Sequence, residues 1–186
     1  MTADTAAPPS RTNTLRDDLD LGVGALLARG VLAGAFGGLV FLLGNMGWAV
    51  HNHKPAVAPL IDISTIFHGQ DMPMPVAAGP FGPDNAIVGL TTHLMLSTLF
   101  GIGFALLVTT VLRRRPPSLL VGAGIAYGLA LYVVNFQILG RIFFKWFSNS
   151  NGPPQGFEVF IHLVFGLILV PFFLGALRRG RATSPS

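Results

Sequence analysis

Two histidines and a glutamate stand within or at the edge of stretches that are otherwise apolar: His93, Glu158 and His162. Asn45 and Asn135 occupy similar positions in two further stretches. Imidazole with carboxylate is a ligand set for a divalent ion such as zinc or copper. A pair of imidazoles also ligates b-type haem. A His–Glu pair at membrane depth can lie on a proton or solute path. The ordinary alternative is interhelical hydrogen bonding, in which Asn amides and neutral imidazoles satisfy one another. Glu158 precedes His162 by four residues, so the two share one helix face. Gln137 is close by in sequence.

A second set lies in residues 51–85. His51 and His53 flank one residue, and His68 is followed by Asp71, Met72 and Met74. Soft thioethers suit Cu(I), and imidazole suits both copper states. Copper binding or delivery is therefore one reading of this segment. The other is a cap that docks on the bundle or on a partner. Six prolines argue against long regular structure here. The middle, Leu60 to Phe67, is apolar enough to lie on a membrane surface or cover the bundle.

The chain that must position these residues has 186 residues, 51% hydrophobic and only 11% charged. Soluble domains carry about 25% charged residues, so an integral membrane protein is expected. There is no cysteine, which removes disulfides, thiolate metal sites and cysteine nucleophiles. No phosphate-binding glycine loop, nucleophile elbow or zinc-protease helix is present, and no enzyme activity is expected. The net charge of +4 does not argue for nucleic acid, because the basic residues sit at the ends of apolar runs.

Crossing the hydrocarbon core takes about 20 apolar residues as a helix. Four segments qualify, at about 30–50, 86–112, 118–140 and 159–177. The expected fold is an all-α membrane four-helix bundle within residues 30–177. Residues 1–14 read as a disordered tail and 178–186 as a basic tail. Residues 15–29 read as an amphipathic lead-in helix or a solvated linker. The first apolar run is too long for a signal peptide, so that span is expected to be retained.

Nine Arg residues fall on one side: 11, 16, 29, 113–115, 178, 179 and 181. Lys54, Arg141 and Lys145 fall on the other. The positive-inside rule then places both termini in the cytoplasm of a bacterial inner membrane, with residues 51–85 outside. Trp48 and Trp146 mark the outer interface.

The first and third spans align at a constant offset of 90 residues, pairing Gly34 with Gly124, Gly38 with Gly128 and Asn45 with Asn135. The second and fourth align at 69, pairing His93 with His162. The chain thus reads as two tandem helical hairpins related by a pseudo-twofold axis along the membrane normal. Gly30, Gly34 and Gly38 share one helix face, as do Gly124 and Gly128, and Ser97, Gly101 and Ala105 form a similar strip. Small residues at this spacing allow close helix contact, within a bundle or in self-association.

The run from His93-Leu94 to Gly101, the sequence Ala126-Tyr127-Gly128-Leu129 leading to Val134-Asn135-Phe136, and His162-Leu163-Val164-Phe165-Gly166 carry a resemblance. Over roughly residues 30–177 the chain resembles a broad set of small bacterial four-span membrane proteins of uncharacterised role. The resemblance implies the four-helix architecture and supplies no catalytic residues. The His/Met loop departs from it. The leading functional expectation is a non-catalytic accessory or structural subunit of a larger bacterial membrane complex, such as a respiratory one. The alternatives are outer-face copper handling and a small transporter or channel.

Overall fold

The computed structural model describes residues 12–68, 83–112 and 118–174. Among these the chain is helical, and four helices are long and apolar enough to cross a membrane: Gly24–His51, Asn85–Leu112, Leu119–Ile142 and Gln155–Leu174. Each overlaps an expected span.

Helix α1 (Thr12–His51) runs unbroken for 40 residues. The expected lead-in at 15–29 is therefore the start of the first span's own helix, and no proline interrupts it. The helix also takes in the end of the expected tail, while residues 1–11 and 178–186 lie outside the described set. Helix α2 (Ala58–His68) follows, then α3 (Pro83–Leu107), which continues as a π-helical turn over Val108–Leu112. Helix α4 (Leu119–Tyr132) passes through a π-helical segment, Val133–Leu139, into the short α5 (Gly140–Ile142). A 3-10 turn at Lys145–Ser148 leads to α6 (Gln155–Leu169). Pro171 has no N–H to continue the ladder, and the helix steps at Val170 before resuming through 174.

The first hairpin packs α1 on α3, the second packs α4 on α6, and α1 against α6 joins them. Glycine makes both intrahairpin contacts. A Cβ on Gly34 would run into the Ser97 carbonyl, and one on Gly30 would lie 2.8 Å from the Gly101 carbonyl. In the second hairpin a Cβ on Gly124 would lie 2.7 Å from the Gly166 carbonyl, and one on Gly128 would strike that of His162. Backbone thus meets backbone, the close approach that small residues permit between lipid-embedded helices. The glycine strips are occupied inside the bundle.

Apolar side chains fill the half of the bundle away from α2. Phe104, Leu120, Leu169 and Phe173 are fully buried there, with Ala33 and Val108 beside them. The other half is less filled, and α2 lies across it.

Candidate functional site

A cavity of about 620 Å³ occupies the α2 half of the bundle. Asn45, His93, Asn135, Glu158 and His162 all line it. The structure therefore brings the five predicted intramembrane polar residues together. Each histidine lies seven or eight residues into its span, so both sit roughly 10 Å in, at about 1.5 Å per residue.

The hydrogen bonds differ from those expected. His93 Nε2 lies 2.7 Å from the Gly38 carbonyl of α1. A carbonyl only accepts, so Nε2 carries the proton and Nδ1 keeps a lone pair. His162 Nδ1 lies 2.7 Å from the Glu158 carbonyl of its own helix, which leaves the lone pair on Nε2. Asn45 donates back to the Phe41 carbonyl at 3.3 Å. Amides and imidazoles thus satisfy backbone rather than one another. The cause is the close approach at Gly38, which exposes its carbonyl to α3. The Glu158 carboxylate stands 3.7 Å from His162 Nδ1, beyond hydrogen-bond distance.

Phe41 touches both imidazoles, with ring centroids 5.6 Å from His93 and 4.9 Å from His162. Phe136 meets His162 edge to face at 5.5 Å. Haem ligation by the two histidines fits poorly. His93 holds its Nε2 on Gly38, and the Phe41 ring packs on both imidazoles.

Of the predicted loop ligands, the structure describes the side chains of His51 and His53. His51 closes α1 and is exposed, and His53 is exposed in the following turn. His53 has φ 58°, its N–H meets the Val50 carbonyl, and the Lys54 N–H meets that of Ala49. That is the Schellman arrangement, in which His53 holds the left-handed position usually given to glycine. His68 ends α2, and Asp71, Met72 and Met74 lie outside the described residues. Among the described residues no three His, Cys, Asp or Glu side chains come together to hold a metal ion.

Two polar residues at this end, Asp62 and Gln155, escape the sequence reading. Asp62 hangs from α2 into the cavity wall, and Trp146 Nε1–H donates to its Oδ1 at 2.9 Å. The bond ties the two loops at this end. Burial pushes the Asp62 carboxyl up to about 6, although the Trp146 hydrogen bond and the Lys54 charge both pull it down. An acid inside the apolar run Leu60–Phe67 was the available signal. The second is Gln155, which accepts from Tyr132 Oη at 2.9 Å and from Gln137 Nε2 at 3.1 Å. Gln137 faces this network and Arg141 rather than the cavity.

The cavity lining stops at Ser97, Phe100 and Phe165, where the apolar core begins. A solute crossing the bundle would have to part Phe104, Leu120 and Leu169. The arrangement is a chamber, apolar in body, to which each of the surrounding helices brings one or more polar side chains. No family model matches the chain, and no curated protein or solved structure is similar to it.

Proposed function

We propose that this multi-pass membrane protein is a binding module whose working part is the cavity under α2. It takes a small molecule with an apolar body and a polar end. The observation that carries this reading is one space of about 620 Å³ lined by aromatic and aliphatic side chains, with Asn45, His93, Asn135, Glu158 and His162 converging on it. Ligand sites are typically concave and mostly apolar, with a few placed polar groups. The distribution of Arg and Lys supports a cavity facing outward from a bacterial inner membrane, with both termini cytoplasmic. The corresponding glycine contacts support two tandem hairpins about a pseudo-twofold axis, as in the small four-span proteins the chain resembles. An accessory-subunit role has the four apolar spans in its favour. The glycine strips add nothing to it, because they are occupied within the chain.

The test uses full-length protein in lipid nanodiscs with Trp146→Phe, so that emission reports Trp48 at the cavity wall. Phenylpropanol should change this emission saturably. Ala49 is buried and lines the cavity, so Ala49→Leu should weaken binding about tenfold by filling space. Emission that tracks only partitioning into empty nanodiscs would defeat the proposal.

A further inference from the structure

The polar wall of the cavity is one-sided. Several of its hydrogen-bond donors are turned toward backbone carbonyls. His93 Nε2–H is held by Gly38 and His162 Nδ1–H by Glu158. The Thr92 hydroxyl donates to the Val88 carbonyl at 2.7 Å, and that of Ser97 to the His93 carbonyl at 2.8 Å. What remains toward the cavity is chiefly lone pairs, those of the two imidazoles, the two hydroxyls and a carboxyl group, beside the amides of Asn45 and Asn135 and the Lys54 amine.

That carboxyl is the second observation. Glu158 is only 4% exposed. Among the described residues its side-chain oxygens have no hydrogen-bond donor, yet none is sealed off from accessible space. An apolar surround makes an uncompensated carboxylate costly, and a cation in the cavity would supply the partner that the chain does not. Asp62 adds a second acid to the lining, against one base, Lys54. Phe41 and Phe136 stand beside His162 with aromatic surface to offer a cation.

We infer that the molecule held in this cavity is an apolar amine in its ammonium form, its N–H groups donating to the Glu158 carboxylate and to the free nitrogen of His162. The inference rests on the binding-module reading and names its ligand class. A carboxylate or phosphate head beside Glu158 would face its carboxyl and the lone pair of His162. A neutral alcohol brings one donor and no charge. An ammonium brings up to three donors and the missing positive charge.

Three probes that share one body separate these heads: phenylpropylamine, phenylpropanol and phenylpropanoate, titrated into full-length protein in nanodiscs at neutral pH with empty nanodiscs subtracted. The amine should bind about tenfold tighter than the alcohol, because a charge-assisted hydrogen bond is roughly twice as strong as a neutral one. The carboxylate should show no saturable binding. Glu158→Gln keeps shape and removes charge. It should bring the amine to within about threefold of the alcohol while alcohol binding persists, which also shows that the variant folds. An amine no tighter than the alcohol, a preference that survives Glu158→Gln, or tight binding of the carboxylate overturns the ammonium assignment alone. If none of the three binds saturably, the binding-module reading falls with it.

Discussion

The two hairpins use one packing scheme and put it to different ends. In the first, Gly34 meets Ser97 and Gly101, and Gly38 meets Ser97 and His93. In the second, Gly124 meets Gly166 and Val170, and Gly128 meets His162 and Leu163. Shifting α1 by 90 residues and α3 by 69 carries most of these contacts into the others. The histidines then part company. His93 reaches across to α1, whereas His162 folds back on its own helix. The position equivalent to Glu158 is Gly89, and there the Leu60 backbone of α2 rests directly on α3. Where one hairpin has a carboxyl facing a cavity, the other has a bare backbone on which a helix docks. The longer loop of the first hairpin thus lies over a chamber to which the second contributes Glu158, while the loop itself brings Asp62 and Lys54. Matching glycine contacts supply the packing, and the hairpins differ where the cavity lies.

The most severe break in this comparison comes from filling the shared contacts. Gly34→Leu and Gly124→Leu each force a side chain between two helix backbones. Each should cost about 3 kcal/mol, the upper end of ordinary overpacking, since backbone has no rotamer to yield. Unfolding in mixed micelles, followed by tryptophan emission, measures both. Similar losses would sharpen the equivalence. A large loss at one site and a negligible one at the other would break it.

The link between the hairpins' loops is smaller and depends on pH. Asp62 has a folded-state value of about 6 against an ordinary 3.8. A raised carboxyl binds more protons folded than unfolded between those values, so its contribution to stability is largest below about pH 4 and falls as pH rises through 6. Trp146 emission, read in a Trp48→Phe background, should titrate with a midpoint near 6. Trp146→Phe removes a donor that favours the ionised form, so the carboxyl should then titrate higher. Carbon NMR of labelled aspartate would read this directly. A midpoint near 4 in the parent chain would separate the two loops.

Much of this architecture was legible because lipid imposes long uncharged runs, and any polar residue inside one stands out. The spans, the glycine strips and the five polar residues follow from that contrast. What escaped depends on helix rotation and on single atoms. Spacing puts His93 and His162 at equal depth, but which carbonyl each imidazole meets is decided by how closely the partner helix approaches. Six prolines made 51–85 look irregular, yet Pro59 sits in the first turn of α2, where its missing N–H costs nothing. Asp62 was read as part of an apolar stretch because its role appears only when Trp146, 84 residues away, folds onto it.

The finest contrast lies where each hairpin leaves its first helix. The first turns on His53 at φ 58°, with the two backbone bonds of a Schellman stop. The second ends at Phe143 with φ −114°, a conformation open to any side chain. His53→Gly relieves a strained L-residue whose left-handed state costs roughly 1–2 kcal/mol. Glycine returns part of that gain through its larger unfolded-state entropy. The net should be about 0.5–1 kcal/mol of added stability. Phe143→Gly brings only the entropic loss and should destabilise slightly. The same micelle unfolding assay measures both. Stabilisation by glycine at both turns would mean that the exits are equally strained. No gain at His53 would mean that its side chain repays the backbone strain, and that would reopen the ligand role first read from the His51–His53 pair.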